Sequence, residues 1–130
     1  MKKLLLLLTA LVIAPFALSA GNIPDISQAD LAKAIESKSV TVIDVNGSES
    51  FAEGHIPTSF DFSTNKDNLA AKLPSDKSAL IVAYCGSDKC SAYKKAAKAA
   101  VALGYTNVKH YSGGLAGWKA SNAELSKPQG

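Results

Sequence analysis

The chain has 130 residues, 47% of them hydrophobic, and its 14 basic and 11 acidic residues give a net charge of +3. This length suits one domain with a single hydrophobic core, and so small an excess of basic residues argues against a nucleic-acid partner. The two cysteines stand in one short segment, unlike the dispersed cysteines of a disulfide-stapled domain, so we expect them to serve chemistry.

The first 19 residues have the pattern of a secretory signal peptide. Two lysines follow the initial Met, residues 4–18 are apolar, and small residues at the end of this stretch allow cleavage after residue 19 or 20. The apolar stretch is shorter than the ~20 residues that a membrane-spanning helix needs, and a proline interrupts it. We therefore expect an exported protein, periplasmic or secreted, with no stable membrane anchor and one mature domain over residues 20–130. Without the two leading lysines, 12 basic residues face 11 acidic ones, so this domain is almost neutral.

The first half of the mature domain predicts short alternating helices and strands. Ser27, with Asp30 three residues later, favours the start of a helix, and the β-branched run that ends at Val45 favours a strand. Pro57 pushes the residue before it toward an extended conformation, which suits a turn that leads into a strand. The predicted elements are a helix over residues 28–37, a strand over 40–45, a helical turn over 49–53, a short strand over 59–62 and a short helix over 68–73.

The second half continues this alternation. An apolar run over residues 78–84 predicts a buried parallel strand, and a helical pattern over 91–103 ends at Gly104, a residue type that often closes helices. The remaining predicted elements are a strand over 107–111, a short helix over 115–120 and a frayed tail over 126–130. Strands alternating with helices predict an α/β fold with a mostly parallel central sheet and helices on both faces.

Cys85 lies between the predicted strand over residues 78–84 and the helix that follows. The unpaired N–H groups and the dipole at the start of that helix stabilise an anion, so we expect the pKa of the thiol to fall below its free value of about 8.5. The intervening loop can curl so that backbone N–H groups surround a bound oxyanion or a charged sulfur. We therefore interpret Cys85 as a nucleophile. A structural disulfide remains open as the alternative, whereas a buried structural cysteine is disfavoured because loops lie at the surface.

The other chemistry-bearing residues favour structural roles. His55 and His110 are the two histidines and show no metal-ligand spacing, so we expect no metal site and no cofactor. His55 suits a structural hydrogen bond in a turn, and His110, within a strand, is expected to pack or to face solvent. Asp44 ends a strand and is expected to fix neighbouring loops through backbone hydrogen bonds. Trp118 is expected to pack in the core.

Three sequence motifs follow one another at a specific spacing. They are Val42-Ile43-Asp44-Val45 followed by Glu53-Gly54-His55-Ile56-Pro57, then Tyr84-Cys85 opening a six-residue loop, and finally Gly113-Gly114-Leu115-Ala116-Gly117-Trp118. Together they resemble the motifs of single-domain rhodaneses. The resemblance implies a three-layer α/β sandwich and a catalytic cysteine, here Cys85, that takes the outer sulfur of a donor such as thiosulfate. Sulfite would leave, a persulfide would form, and cyanide or a thiol would accept the sulfur.

The same resemblance assigns the loop after Cys85 to substrate binding. The implied binding residues are Gly86, Ser87, Asp88, Lys89, Cys90 and Ser91. Two positions depart from many family members, since Asn46 and Cys90 stand where those proteins have arginine. An oxyanion then lacks the bidentate fork of an arginine, which weakens the expectation of activity on thiosulfate, and Lys89 is the only cation in the loop. Related phosphatases carry arginine at the position of Ser91, so phosphatase activity is not expected.

Three hypotheses on function follow. The leading one is an exported, monomeric sulfurtransferase whose partners are a small sulfur-containing anion and a thiol or persulfide acceptor. In the second, which an oxidising compartment favours, Cys85 and Cys90 form a reversible disulfide, or Cys90 resolves a Cys85 persulfide or sulfenic acid. The third is a catalytically idle rhodanese fold that serves as a binding module. Because a loop curled around an anion tends to point its last side chain outward, we expect Cys90 to lie away from the Cys85 sulfur.

Overall fold

The computed structural model describes residues 22–128, so the predicted signal peptide lies outside the described residues. Its strands are β1 (Val40–Asp44), β2 (Phe60–Asp61), β3 (Leu80–Tyr84) and β4 (Val108–Tyr111). Its helices are α1 (Gln28–Glu36), α2 (Ser48–Glu53), α3 (Phe62–Asn65), α4 (Tyr93–Ala102) and α5 (Gly114–Ala120), and a 3₁₀ segment covers Lys66–Lys72. Within this part of the chain the strands form one parallel sheet in the order β2-β1-β3-β4.

Helices cover both faces of the sheet, as the alternating pattern predicts. Successive side chains of a strand point to opposite faces, so the neighbours Val42 and Ile43 belong to different layers of the core. Ile43 packs in the layer that contains Ala96 of α4, whereas Val42 packs in the layer that contains Leu31 of α1 and Trp118 of α5. The predicted α/β fold with three layers is confirmed.

Three neighbouring strands end level with one another. Asp44 of β1 lies opposite Tyr84 of β3, and Tyr84 lies opposite Tyr111 of β4. Because the strands are parallel, their carboxyl ends form one edge of the sheet, and this is the edge at which folds of this kind bind ligands. The loop that contains both cysteines begins directly after Tyr84, so the sheet places it at this edge.

The segment around Asp61 differs from the prediction of a strand over residues 59–62. β2 has only two residues, and helix α3 begins at Phe62. The Asp61 carboxylate accepts a hydrogen bond from the Ser63 N–H at 2.9 Å, and the Asp61 carbonyl accepts one from the Asn65 side chain at 2.7 Å. These side-chain hydrogen bonds satisfy backbone groups at a helix start, so they end the strand early.

The ends of the described chain are held by specific contacts. The Ser27 hydroxyl accepts the Asp30 N–H at 3.1 Å, which confirms the predicted cap of α1. The prediction of a frayed tail from residue 126 is wrong at Ser126, whose backbone exchanges two hydrogen bonds with His55, at 2.8 and 2.9 Å. Among residues 22–128, no helix combines the length and the apolar character that crossing a membrane requires.

Candidate active site

The loop that follows β3 places Cys85 at the base of a depression in the protein surface. Cys85 is only 2% exposed. The loop folds back through a turn in which the Cys90 N–H donates to the Ser87 carbonyl at 3.2 Å. Helix α4 then begins at Tyr93, two residues later than predicted. The residues before it form a 3₁₀-type turn, because the hydrogen bonds there join residues three apart, as from the Lys94 N–H to the Ser91 carbonyl at 3.1 Å.

Helix α5 binds the first two residues of the loop through backbone hydrogen bonds. The Leu115 N–H donates to the Cys85 carbonyl and the Ala116 N–H to the Gly86 carbonyl, each at 2.9 Å. These donors belong to the first turn of α5, where N–H groups have no partner within the helix. Gly114 makes this approach possible, since a Cβ at that position would lie 2.6 Å from the Cys85 carbonyl oxygen and its φ is +60°. The two loop carbonyls therefore face α5 rather than the depression.

Both sulfur atoms face the start of helix α4. The Tyr93 N–H donates to the Cys85 sulfur at 3.1 Å, and the Ala92 N–H donates to the Cys90 sulfur at 3.4 Å. The two cysteines are joined by a disulfide, with their Cα atoms 6.0 Å apart. The prediction that Cys90 lies away from the Cys85 sulfur is therefore wrong. The turn between Ser87 and Cys90 brings the end of the loop back over the helix start, so one set of backbone donors serves both sulfurs.

A cavity of about 240 Å³ opens above the disulfide. Six of the predicted site residues line it, namely Cys85, Ser87, Asp88, Lys89, Cys90 and Ser91. Gly86 does not, because its carbonyl is turned toward α5. A Cβ at Gly86 would lie 3.3 Å from the Asn46 side-chain oxygen, so the position that lacks the family's arginine stands directly beside the loop. The catalytic role of Cys85 and the substrate-binding roles of the loop stay predictions.

Five further residues complete the lining of the cavity, and sequence reasoning did not assign them to the site. They are Tyr93, Lys94, His110, Tyr111 and Ser112. The rule that ligands bind at the carboxyl ends of parallel strands points to the last residues of β4, so it could have found His110 and Tyr111. Tyr93 and Lys94 lie in the first turn of α4, and the position of the loop over that turn decides their place.

His110 forms one wall of the cavity. Its ring stacks on the Tyr93 ring, with centroids 4.2 Å apart and planes within 6°, and its side chain is 16% exposed. Burial lowers the pKa of His110 below 6.5, the Lys94 ammonium lowers it further, and the Asp25 carboxylate acts in the opposite direction. The imidazole is therefore neutral at pH 7. The expectation that His110 packs or faces solvent is half right, since it packs on Tyr93 but faces the cavity.

The N-terminal segment fixes the backbone around His110. The His110 N–H donates to the Pro24 carbonyl and the His110 carbonyl accepts the Ile26 N–H, both at 2.9 Å. Between them, the Asp25 carboxylate accepts from the backbone and the hydroxyl of Ser112, at 2.9 and 3.0 Å. The segment thus pairs with β4 through a parallel bridge between Asp25 and His110 and lies beside the rim of the cavity.

The structural roles predicted for three other residues are confirmed. The Asp44 carboxylate accepts the Asn46 N–H at 2.8 Å and so fixes the turn after β1. His55 bonds the Phe51 carbonyl at 2.8 Å through its Nδ1 and stacks on the Phe51 ring. Trp118 is 4% exposed and donates its indole N–H to a carbonyl, while its ring meets the Tyr111 ring edge to face.

The chain is similar in sequence and fold to known proteins. A family model for the rhodanese-like domain matches residues 27–121. Thiosulfate sulfurtransferase GlpE of Shewanella oneidensis is 30% identical over 96 residues, which make up 72% of this chain and 89% of that protein. The BH2092 protein from Bacillus halodurans is 31% identical, with a TM-score of 0.69 and coverage of 80% of this chain and 77% of that one. The human single-domain sulfurtransferase TSTD1, at 23% identity, shares the fold, with a TM-score of 0.63 and coverage of 76% and 97%.

The fold and the site define an α/β domain that presents a cysteine loop at the carboxyl edge of a parallel sheet. The chain belongs to the rhodanese-like domain family. One relative, at 30% identity, is a thiosulfate sulfurtransferase, which supports a general sulfurtransferase role.

Proposed function

We propose that the reduced protein transfers sulfane sulfur through Cys85. The observation that carries the proposal is the position of the Cys85 sulfur, which is buried at the base of the 240 Å³ cavity and accepts the Tyr93 N–H at 3.1 Å. A backbone donor at a helix start stabilises a thiolate, which is the nucleophilic form of cysteine. The thiolate attacks the outer sulfur of thiosulfate, the S–S bond breaks, and sulfite leaves with the bonding electron pair.

The product of this first half-reaction is a persulfide on Cys85. In the second half-reaction, the sulfur of an acceptor thiol or the carbon of cyanide attacks the outer sulfur of the persulfide, and Cys85 returns as a thiolate. The cavity is small, so it suits compact donors and acceptors. Lys89 and Lys94 line it and attract an oxyanion, whereas Asp88 opposes one.

All basic residues of the chain are lysines, including those in this cavity. A lysine ammonium acts as a point charge and lacks the planar fork with which arginine binds an oxyanion. We therefore propose thiosulfate as a weakly bound donor whose sulfonate is held by lysine charge and loop N–H groups. Other compact anions that contain a sulfane sulfur fit the same charges.

We propose that this chemistry takes place outside the cytoplasm, after removal of the signal peptide, and in a monomer. The support is the sequence pattern of the first 19 residues. Expression of the full chain and N-terminal sequencing of the exported product test the location. A new N-terminus at Ala20 or Gly21 in the periplasmic or secreted fraction is expected, and retention of the uncleaved chain in the cytoplasm would contradict the proposal.

Replacement of the nucleophile tests the sulfurtransferase activity. The protein is first reduced with a phosphine, and thiocyanate formation from thiosulfate and cyanide is measured for the wild type, Cys85→Ser and Lys98→Ala. We expect Cys85→Ser to lose at least 100-fold in turnover, on the order of what removal of a nucleophile costs, because the serine hydroxyl is far less acidic than a thiol. Lys98→Ala, at an exposed position of α4 outside the cavity lining, serves as the control and should match the wild type.

Near-wild-type turnover in Cys85→Ser would remove Cys85 from the mechanism. An unchanged circular dichroism spectrum shows that the variant is folded, and this is expected because serine differs from cysteine only in its γ atom and leaves the hydrogen bond from the Leu115 N–H to the backbone carbonyl of residue 85 in place. If neither the wild type nor Cys90→Ser releases sulfite, forms thiocyanate or gains sulfur mass with a compact donor, the sulfurtransferase proposal is wrong, and the redox and binding-module hypotheses remain.

The disulfide supports a second candidate function, that of a thiol/disulfide redox protein. Cys85 and Cys90 are bonded to each other, and each sulfur accepts a backbone N–H at the start of α4. Such donors stabilise the reduced thiolates, and stabilisation of the reduced form makes the disulfide a stronger oxidant of other thiols. Oxidation of a reporter dithiol peptide by the disulfide form, absent in both Cys85→Ser and Cys90→Ser, is the outcome expected for this function.

A further inference from the structure

We propose that Cys90 is an internal acceptor that resolves the Cys85 persulfide, releases sulfide and leaves the Cys85–Cys90 disulfide. The proposal rests on the proposed sulfurtransferase function, because it begins from the persulfide. It adds a second product to the reaction. It also implies a dithiol reductant as the partner that returns the protein to its starting state.

The geometry of the loop carries this inference. The fold brings the Cys90 sulfur onto the Cys85 sulfur, with the two Cα atoms 6.0 Å apart, well within the 4.4–6.8 Å range of disulfides. Cys90 occupies the last position of the loop and lines the same cavity as Cys85. A nucleophile at this position competes with any acceptor that enters from solvent, because its effective concentration is that of an intramolecular group.

The Cys90 sulfur has a hydrogen bond that favours its reactive form. It accepts the Ala92 N–H at 3.4 Å, next to the Tyr93 N–H that donates to the Cys85 sulfur at 3.1 Å. Lys89 and Lys94 line the same cavity, where their charge outweighs that of the single Asp88 carboxylate. Both cysteines are therefore provided with donors and positive charge that stabilise a thiolate.

The resolving step balances without a further reactant. The Cys90 thiolate attacks the inner sulfur of the protonated persulfide, which is the Cys85 sulfur, and forms the Cys85–Cys90 bond. The bond between the two persulfide sulfurs breaks, and the outer sulfur leaves as hydrosulfide with the electron pair. The sulfane sulfur is reduced to sulfide, and the two cysteines are oxidised to the disulfide. Starting from thiosulfate, the reduced protein yields one sulfite, one sulfide and the disulfide form.

The exposure of the two cysteines decides which sulfur an external thiolate attacks when the disulfide is reduced again. Cys85 is 2% exposed, whereas Cys90 is half-buried and lies between the exposed residues Lys89 and Ser91. A thiolate of an external dithiol reaches the Cys90 sulfur and displaces Cys85, whose departing thiolate accepts the Tyr93 N–H. The second thiol of the partner then attacks the mixed disulfide and frees Cys90. The partner leaves oxidised, and both cysteines are reduced.

A single-turnover experiment separates this proposal from the sulfurtransferase function. Reduced protein is freed of reductant under anaerobic conditions and mixed with one equivalent of thiosulfate, and then sulfite, sulfide and intact mass are measured. We expect the wild type to release one sulfite and one sulfide per protein and to be two hydrogens lighter than its reduced form. We expect Cys90→Ser to release sulfite but no sulfide and to keep the mass of one added sulfur. Cys85→Ser should release neither product.

Each other outcome has a definite meaning. A wild type that keeps the added sulfur and releases no sulfide would overturn the role of Cys90 while leaving the sulfurtransferase function intact. Equal sulfide release by Cys90→Ser and the wild type would also overturn it. If no variant releases sulfite or gains sulfur, the sulfurtransferase function has failed first. Cys90→Ala repeats the test with a side chain that cannot hydrogen bond, so a structural effect of serine is recognised by disagreement between the two variants.

Discussion

At the scale of single residues, His110 shows how a side chain gains a chemical setting from its neighbours. It stacks on Tyr93, whose backbone N–H donates to the Cys85 sulfur at 3.1 Å, and it lines the cavity together with Lys94. Burial and the nearby ammonium favour the uncharged imidazole, while Asp25 favours the charged one. The wall of the cavity that His110 forms is therefore aromatic and mainly uncharged at neutral pH.

The lowered pKa of His110 predicts a dependence of stability on pH. Because the pKa is lower in the folded state than the unfolded value of 6.5, the unfolded state binds more protons between the two values. Stability is therefore highest above pH 6.5 and is lost as the pH falls through the folded-state value. We expect His110→Gln, which does not titrate, to lose less stability than the wild type between pH 7.5 and 5. Chemical denaturation at both pH values measures this difference, and parallel losses in the two proteins would contradict it.

At the scale of secondary-structure elements, the first turn of α5 and the cysteine loop form one unit. Two N–H groups of α5 bind the carbonyls of Cys85 and Gly86 at 2.9 Å, and Gly114 leaves room for that contact. Gly114 thus supports the site although it lies 24 residues beyond Cys90 in sequence, and such a close approach of two backbones requires glycine. The carbonyls of Cys85 and Gly86 therefore face α5 rather than the cavity.

Substitution of Gly114 should separate the loop from α5. In Gly114→Ala the new Cβ meets the Cys85 carbonyl oxygen at 2.6 Å, and its backbone stays at φ +60°, so we expect a loss of about 1–3 kcal/mol in stability. Displacement of the loop should also lower thiosulfate turnover at least tenfold, because the nucleophile is then misplaced. A tenfold loss corresponds to about 1.4 kcal/mol in the activation free energy. Thermal unfolding and the thiocyanate assay measure the two effects.

Gly104→Ala is the matched control for this prediction. Gly104 has φ +97°, and its nearest neighbour is the flexible Lys77 side chain at 4.0 Å, at the end of α4 far from the cysteines. It should therefore lose stability through backbone strain and keep its turnover. Similar turnover losses in both variants would show that strain anywhere in the fold, rather than the contact between Gly114 and the loop, limits activity.

At the scale of the whole molecule, a buried polar network joins the layers beneath the site. The Tyr84 hydroxyl donates to the Asp44 carboxylate and accepts the Ile56 N–H at 3.0 Å, and the Ser59 hydroxyl lies 3.2 Å from it. Tyr84 and Asp44 are fully buried. The network therefore ties β1 and β3 to the segment before β2, and it fixes the end of β3, from which the cysteine loop starts.

Removal of the Tyr84 hydroxyl tests this network. Burial raises the pKa of Asp44, and the hydrogen bonds from Tyr84 and from the Asn46 N–H lower it. In Tyr84→Phe the carboxylate loses one donor and the Ile56 N–H loses its acceptor, so we expect a loss of about 2–4 kcal/mol in the free energy of unfolding. Tyr105→Phe, which loses one hydrogen bond to the Pro74 carbonyl, is the control and should lose about 1 kcal/mol.

The destabilisation caused by Tyr84→Phe should depend on pH in a defined direction. A raised carboxyl pKa means that the folded state binds the proton more readily than the unfolded state, so the stability gained from protonation is present at low pH and lost as the pH rises through the folded value. Loss of the Tyr84 donor makes the ionised form still more costly. The gap between wild type and Tyr84→Phe should therefore be larger at pH 7 than near pH 4, and a gap that is constant with pH would contradict the role given to Asp44.

Much of this protein is determined by local sequence. The strand and helix periods, the Ser27 cap, the glycine that ends α4 and the apolar run before Cys85 each act over a few residues, so they predict the element order, the parallel sheet and the position of Cys85 at its carboxyl edge. The strand at Phe60 is shorter than the sequence predicts, because the side chain of Asp61 accepts a hydrogen bond from the backbone of the next turn and so ends the pairing between strands. The export pattern is also local, and its consequences stay a prediction.

The tertiary structure alone decided how the site is assembled. The pairing of β3 with β4 brings His110 beside the loop, α5 binds the loop carbonyls, and the turn from Ser87 to Cys90 returns the second sulfur to the first. None of these contacts has a local sequence signal. The first two depend on strand order, on register and on close approach between segments that are far apart in the chain, and the third depends on the path of the loop. The sequence therefore determined that a cysteine stands at the ligand-binding edge, while packing decided that the second cysteine and the imidazole stand there with it.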